Sequence, residues 1–436
     1  MASKRNIEWL RDELPALVEK GVLNADAADR LREHYSEATA SQESRNWIGI
    51  VFSILGALLV GAGIILLLAY NWTELPRPLR AVIAFLPLLA GQLGAGRTIW
   101  TWREELGPRE GWGVFLALSV GACIALISQT YHLGGEFDTF LLVWMILCLP
   151  LAHLLRAVMP ALLCLAGFAW WAILWKGDGG SGLWLWLLLA AVLAHSIDVL
   201  TADRAGQRAS VLVFASCVVA LLAVWLTLVE SLRPGIWILT YAALLSLMYV
   251  GGGFLRDASP AAHGPLRVIG ALGVIGLSAA LTFSPVWKEL GGWGDFHILK
   301  SGEAGWIGAR VMPFGFVLGA LIAWALALGG RRRDLCWLGA APLVVLAGLS
   351  AQPAVASVLF NAYLFAVGLA GILIGVKERR LGRVNSGMIV VLLIATTRFF
   401  DSDIGFIAKG TAFIVLGAAF LAANIVLTRR FRRAAP

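Results

Sequence analysis

The chain has few charged residues and lacks the short motifs of nucleotide-driven and common hydrolytic enzymes. Only 14% of its 436 residues are charged, whereas an ordinary soluble domain has roughly 25%. It contains no G-x-x-x-x-G-K-[ST] loop, no G-x-S-x-G turn, no H-E-x-x-H helix and no C-x-x-C pair. No soluble segment is large enough to house an ATPase. We therefore do not expect ATP-driven work by this chain alone.

Cysteine is also scarce, and its placement excludes the usual metal and disulfide patterns. The five cysteines lie within or at the ends of apolar runs, without ligand spacing: Cys123, Cys148, Cys164, Cys217 and Cys336. We interpret them as small packing residues. The sequence predicts no metal site and identifies no cofactor.

Apolar residues dominate instead. They make up 59% of the chain, with a mean hydropathy of +0.80, which predicts an all-α integral membrane protein with the lipid bilayer as its partner. The formal net charge of +8 would suggest nucleic acid in a soluble protein. Here the basic residues fall in short loops between apolar runs, where they orient helices, so we expect no nucleic-acid partner.

Residues 1–46 are polar, carry both charge signs and show no signal peptide. Helical spacing of apolar residues predicts a cytoplasmic amphipathic helical pair, with Gly21 ending the first helix and Asn24 capping the second. This pair is either a simple appendage or a surface for a protein partner or self-association.

Residues 47–436 form the predicted transmembrane domain. We divide it into a first part at 47–180, an unassigned middle at 181–350 and closing helices with a basic tail at 351–436. About 14 transmembrane helices are expected, at 47–70, 79–96, 112–130, 139–155, 157–175, 183–202, 209–229, 235–254, 267–284, 311–330, 335–351, 354–376, 384–400 and 405–428.

The distribution of basic residues orients these helices. With the N-terminus inside, most of the 35 Lys and Arg residues, including the run Arg331, Arg332 and Arg333, fall on the inner side. The sequence thus predicts a multi-pass membrane protein with both termini cytoplasmic.

A polar stretch at 129–138 separates two apolar runs and must turn the chain at a membrane surface. Gly134 and Gly135 supply the conformational freedom that a tight turn needs. Donors, acceptors and titratable groups gather around them, namely Gln129, Tyr131, His132, Glu136 and Asp138.

Two further outer turns carry polar residues, and we predict that all three turns lie on one face. The first holds Asn71 and Glu74, and the last holds Arg398, Asp401 and Asp403. Such groups together would bind a cation, relay protons or hold a polar head group. The alternative is structural, with solvated turn residues, an aspartate capping the final helix and Arg398 paired with Asp401.

Other polar and small residues have mainly structural interpretations. The tryptophan-rich segment 285–310 is either an interfacial loop or a lid, with Trp287 as an anchor. His195 lies towards the cytoplasmic end of its helix, where water is near. Asn361 is expected to hydrogen-bond between helices, and Gly368, Gly371 and Gly375 to allow close helix packing.

Several local sequences resemble a family of uncharacterised bacterial membrane proteins catalogued as a domain of unknown function. They are the N-terminal pair with Gly21-Val22-Leu23, the run Ala69-Tyr70-Asn71-Trp72-Thr73-Glu74-Leu75-Pro76, and Gln129-Thr130-Tyr131-His132 leading to Trp144 and Leu149-Pro150. The resemblance covers roughly the first 180 residues. The closing segment of related proteins is similar to Arg398-Phe399-Phe400-Asp401. The resemblance implies a location in the bacterial inner membrane, and it implies no reaction.

Three functions remain open. The leading hypothesis is transport or flipping of a small or lipid-linked solute, because many helices exceed what an anchor requires. The second is a membrane enzyme with its site at the outer face, acting on a lipid-linked substrate. The third is a structural or sensory subunit working through a partner at residues 1–46. A cavity near the midplane would favour the first hypothesis.

The topology predicts a labelling pattern. Single cysteines placed at both termini and in 331–333 should react only with reagent supplied from the cytoplasmic side, and those in 285–310 only from outside, because the basic loops stay in the cytoplasm. Cysteine-accessibility labelling of intact cells measures this. Labelling of the triple arginine from outside would contradict the orientation.

Overall fold

The computed structural model describes residues 13–15, 17–18, 21–24, 26–31, 74–101, 106–202, 204, 206–230, 232–290, 307–330, 332–401, 410–411, 414–415, 417–418 and 421–422. By contacts, the chain divides into two compact units, Met1–Ile83 and Ala84–Pro436.

In the first unit the described residues 13–15, 17–18 and 26–31 are helical. Leu14 and Ala28 are buried. Gly21 has a positive φ of 70°, and its N–H donates to the carbonyl of Val18. A left-handed glycine therefore ends the first helical stretch, as predicted.

The described part of the chain is helical and contains no β-strand. Its helices, numbered in chain order, are α1 (Arg77–Trp100), α2 (Leu106–Tyr131), α3 (Phe137–Leu155), α4 (Val158–Gly177), α5 (Leu183–Ala202), α6 (Gln207–Leu228), α7 (Pro234–Phe254), α8 (Pro260–Ala280), α9 (Ser284–Leu290), α10 (Ile307–Gly329), α11 (Cys336–Gly339), α12 (Ala341–Leu349), α13 (Pro353–Lys377) and α14 (Leu381–Asp401).

Ten of these helices, α1 to α8, α10 and α13, are long and apolar enough to cross a bilayer. They correspond to ten of the predicted segments and confirm an all-α membrane protein. Of the other four, 47–70 lies outside the described residues, 405–428 is described only in short helical pieces, 384–400 corresponds to α14, and 335–351 is interrupted.

The interruption in 335–351 differs from the single helix expected there. The chain forms a 3₁₀ turn at Arg333–Leu335, then α11 and α12, which meet at Ala340. Pro342 contributes to the interruption. It has no N–H to donate, and its ring crowds the carbonyl four residues earlier, that of Leu338. Proline alone does not force a break, because Pro87, Pro150, Pro265 and Pro313 lie inside continuous helices.

Side chains of neighbouring helices satisfy the carbonyls at this interruption. The donors are Trp324 Nε1 to the carbonyl of Cys336 at 3.0 Å, the Tyr363 hydroxyl to that of Trp337 at 2.9 Å, and the Ser246 hydroxyl to that of Leu338 at 3.4 Å. Backbone groups within a membrane need such partners, because lipid offers none.

Polar contacts between helices place successive turns alternately at two ends of the bundle. One end, which we call the basic end, contains the pairs Glu110–Arg208, Asp257–Arg332 and Asp334–Arg383 and the bond from the Ala261 N–H to the Arg204 carbonyl. The opposite end contains the pair Lys176–Glu230 and the bond from Ser357 to the Thr282 carbonyl. The positive-inside rule predicts that the basic end is cytoplasmic.

The segment after α8 departs from the expected interfacial loop. Its start forms the short helix α9, in which Trp287 is only 4% exposed. The indole N–H donates to the Leu281 carbonyl at 2.7 Å, and the ring lies 5.5 Å from that of Phe360. Trp287 is therefore a core residue and not a surface anchor; residues 291–306 lie outside the described part.

Helices α13 and α14 pack closely through glycine, as predicted for Gly368, Gly371 and Gly375. Gly387 of α14 supplies the facing surface. A Cβ atom there would lie 2.6 Å from both the Gly368 carbonyl oxygen and the backbone nitrogen of Ile372. Only glycine permits this separation of the two backbones.

Replacing Gly387 with valine should force α14 away from α13, because the new atoms would meet immobile backbone. Overpacking of this kind costs about 1–3 kcal/mol, so the thermal unfolding midpoint of the detergent-solubilised protein should fall. Gly382→Ala on the same helix is the matched control, since open space surrounds that position. Equal midpoints for the two variants would contradict the packing described.

Candidate functional site

At the opposite end, His132 rather than the glycines makes the α2–α3 turn. Its φ is +53°, and neither Gly134 nor Gly135 adopts a positive φ. The N–H of Leu133 donates to the Ser128 carbonyl at 2.9 Å, which closes the helix with a left-handed residue in the position usually taken by glycine. The expectation that Gly134 and Gly135 form the turn through special dihedral angles is wrong.

The other candidates of this turn point mostly to solvent or lipid. Gln129, Tyr131 and Glu136 are exposed, and Asp138 is half-buried. The Asp138 carboxylate accepts a 2.6 Å bond from the backbone N–H of Thr139, in the first turn of α3. In this position Asp138 stabilises the helix start.

The remaining candidates are only partly described. Glu74 is exposed in a short turn before α1, and Asp401 is the last residue of α14. Asn71 and Asp403 lie outside the described residues. Convergence of the three turns on one face stays a prediction.

Arg398 takes part in a polar cluster where α8 ends. Its Nη2 donates to the Thr282 carbonyl at 2.5 Å, and its guanidinium carbon lies 5.3 Å from the centre of the Phe283 ring. The same carbonyl accepts bonds from Ser357 and, at 3.3 Å, from Asn361. The predicted interhelical role of Asn361 is confirmed, and Arg398 stabilises the end of α8.

At the basic end, Glu110 forms the most connected polar group of the first half of the bundle. Its two carboxylate oxygens accept the N–H groups of Val158 and Met159 at 2.9 and 2.8 Å, and it pairs with Arg208. A carboxylate is favoured there because the first N–H groups of a helix have no partner within it and carry partial positive charge. Glu110 thereby joins α2, α4 and α6.

His195 completes this junction and is not near water, contrary to the sequence-based interpretation. It is 1% exposed, and its Nε2 lies 3.1 Å from the carbonyl oxygen of Ala157, the residue before α4. A carbonyl can only accept, so Nε2 carries the hydrogen. The ring of His153 lies 5.2 Å away.

The second half of the bundle contains a polar cavity of about 380 Å³ at the basic end. Its charged side chains are Arg256, Arg267, Arg332, Arg380, Arg383, Asp334 and Glu378, with His263 beside them. Five arginines face these two carboxylates and Asp257, which pairs with Arg332 from outside the lining, so the net charge is +2 with His263 neutral. We call this cavity the polar chamber.

Two of these arginines have carboxylate partners. Arg383 pairs with Asp334 at 3.2 Å and Glu378 at 2.7 Å, and Arg332 pairs with Asp257 at 2.7 Å. These three ion pairs hold the loops and helix ends of the basic end together.

Arg267 is different, because its polar contact is with a neutral group. Its Nη2 lies 3.0 Å from the Tyr249 hydroxyl, and its guanidinium carbon lies 5.0 Å from the centre of the same ring. No ion pair within the described residues joins a carboxylate to Arg267, Arg256 or Arg380. Arg256 and Arg380 are exposed, whereas Arg267 is half-buried, so Arg267 is the charge that an anionic ligand would neutralise best.

An adjoining cavity of about 410 Å³, the apolar chamber, shares His263, Arg267, Asp334 and Arg383 with the polar one. Beyond these residues its walls are mainly apolar, with Val268, Ala271 and Ile275 of α8, Val367 and Ile374 of α13, Val390 of α14, and Trp337 and Leu338 of the interrupted segment. Along α8 it extends from Arg267 to Ile275, about 12 Å at ~1.5 Å per residue. This stretch includes Gly270, the middle residue of the candidate span Pro260–Ala280, so the chamber reaches the middle of that span.

The sequence contained one signal for this site, the basic residues of separate loops and helix ends. The positive-inside rule explained them all as orientation signals. Nothing local distinguishes Arg267 from Arg379, which does not line either chamber, because the distinction depends on which helices meet.

Residues 15–161 match the model of a family described as "Predicted membrane protein (DUF2157)". The match confirms the resemblance inferred for this part of the chain, and the description names no activity. Searches of curated proteins and of solved structures found no match. The two chambers lie entirely beyond the matched residues.

Glu110 offers a test of the junction at the basic end. Glu110→Gln should lower the free energy of unfolding by about 2 kcal/mol, because the helix start loses a charged acceptor and Arg208 loses its partner. The thermal midpoint in detergent measures the effect. Glu136→Gln is the control, since Glu136 is exposed and its side chain caps no helix. If Glu110→Gln and Glu136→Gln shift the midpoint equally, Glu110 does not hold the junction.

Proposed function

We propose that this protein is a carrier that moves an amphiphilic solute with an anionic head group across the membrane. The observation that supports this function best is the pair of joined chambers at the basic end. One chamber carries excess positive charge, and the other is apolar and extends towards the midplane. Carriers typically hold substrate near the midplane, whereas an anchor needs no such cavity.

Charge complementarity defines the head group. Arginine binds phosphate and carboxylate with two parallel hydrogen bonds and keeps its charge at any physiological pH. The N-termini of α8 and α14 also lie at the basic end, where their dipoles favour negative charge. Arg267 lines both chambers, and no carboxylate among the described residues forms an ion pair with it, so it is the expected contact for the anion.

The apolar chamber defines the rest of the solute. Its volume of about 410 Å³ is within the range of roughly 300–1,000 Å³ for sites that bind small molecules. Its walls offer few polar partners, so an apolar group is favoured there. An ion without an apolar part would leave this chamber unused.

The interrupted segment beside the apolar chamber also fits a carrier. Trp337 and Leu338 line the chamber and belong to the stretch in which side chains replace helical hydrogen bonds. Discontinuous helices of this kind recur at the binding sites of transporters, where irregular backbone lines a cavity. The alternative, a membrane enzyme, would have its site in the turns at the end opposite the basic end.

Arg267→Gln should weaken binding of an anionic amphiphile at least about tenfold, because an amide cannot replace a charged contact. The protein is reconstituted in liposomes with a fluorescent alkyl phosphate, and binding and transbilayer movement are both measured. Movement should slow in parallel with the loss of binding.

Arg379→Asn is the matched control for this experiment. Arg379 is exposed at the same end and lines neither chamber, and asparagine tolerates its positive φ of 54°. The control should bind and move the probe like the unmodified protein. Unchanged binding and movement with a stably folded Arg267→Gln protein would overturn the proposal.

A further inference from the structure

The apolar chamber has a side that borders the outer surface of the bundle. Val268 of α8 and Ser386 of α14 both line the chamber, and both are exposed, Val268 by 50%. Helix α14 packs along the length of α13 but contacts α8 over only a short stretch. Among the described helices, α8 and α14 therefore form the two edges of a gap.

Among the described residues, the neighbours of Val268 and Ser386 show that the gap opens onto an exposed apolar surface. Leu272 lies four residues after Val268 and is 66% exposed, and Ile389 lies three residues after Ser386 and is 65% exposed. Neither lines the chamber. Residues three or four apart share a helix face, so the chamber wall continues onto the apolar outer surface of both helices.

The gap also lies at a defined depth. Val268 follows Arg267 directly, and Ser386 is three residues after Arg383, about 5 Å further along α14 at ~1.5 Å per residue. The charged groups of the polar chamber are thus next to the gap, at its basic-end edge. This order of charge and then apolar wall matches the order of head group and acyl chain in one leaflet.

We infer that the ligand reaches the chamber sideways, through the gap between α8 and α14, from the leaflet at the basic end. Its chemical class is a membrane lipid with a phosphate monoester head group. This inference rests on the proposed function and names its substrate class. The head group lies beside Arg267, Arg256 and Arg380, and the acyl chain of the lipid leaves through the gap.

Two quantities favour this lipid over a soluble ligand. A cavity of about 410 Å³ takes only a drug-sized group, so the rest of a lipid stays in the bilayer, as a lateral opening allows. A phosphate monoester carries about 1.5–2 negative charges near neutral pH. That charge balances the net charge of +2 better than the charge of a zwitterionic or singly charged head group does.

A bulky residue at the gap tests whether a ligand enters from the membrane or from water. The full-length Ser386→Trp protein is placed in phosphatidylcholine nanodiscs containing fluorescent phosphatidic acid, and a water-soluble short-chain alkyl phosphate is titrated separately. We expect binding of phosphatidic acid to fall at least about tenfold and binding of the soluble phosphate to change less than about twofold. Leu392→Trp is the matched control, because Leu392 lies on another face of α14, is 41% exposed and lines neither chamber, and this variant should change neither binding.

The outcomes distinguish this inference from the proposed function. Lateral access would be overturned if Ser386→Trp weakened binding of phosphatidic acid and of the soluble phosphate equally, or weakened binding of neither. Strong binding of the soluble phosphate without binding of phosphatidic acid would replace the lipid by a free phosphate compound. In each of these cases, weaker binding of the anionic probe by Arg267→Gln would still support the proposed carrier function. Unchanged binding by Arg267→Gln would overturn both the carrier function and lateral access.

Discussion

The fold depends on the need of every backbone N–H and C=O group in the membrane for a partner within the protein. Regular helices satisfy most of these groups, and side chains satisfy the rest where a helix starts, ends or breaks. Glu110 accepts hydrogen bonds from the first N–H groups of α4. Arg398, Ser357 and Asn361 donate to the carbonyl of Thr282, just after the end of α8. These side chains thus serve helix ends, whereas other buried polar residues, such as Ser119 and Ser216, lie within helices.

The same constraint acts where the segment between α10 and α13 is interrupted. Pro342 lies at this interruption, and the donors Trp324, Tyr363 and Ser246 hold the broken stretch in place. Trp337 and Leu338 of the stretch line the apolar chamber. Irregular backbone and cavity therefore lie side by side in the second half of the bundle.

Local patterns were sufficient to predict the helices, because length and hydropathy decide whether a segment spans a bilayer. They also predicted the glycine contact of α13 and the bond of Asn361. They failed where the outcome depends on distant contacts. The left-handed conformation occurs at His132, the residue that follows α2, and not at the neighbouring glycines. Trp287 is buried against Phe360, which is distant in the sequence. The chambers could not be predicted either, since their arginines belong to loops and helices that are far apart in sequence.

The arginines of the basic end illustrate how one residue type serves orientation and recognition. An arginine that only orients a helix belongs in a loop, in water, as Arg379 does. Arg267 lies within α8, about 10 Å from Pro260 at ~1.5 Å per residue. A charge at that depth is costly unless it is neutralised or hydrated, and a tyrosine hydroxyl and ring supply only part of what it needs. An anionic group in the adjoining chamber would supply the rest, so the position of Arg267 is better explained by a ligand than by orientation alone.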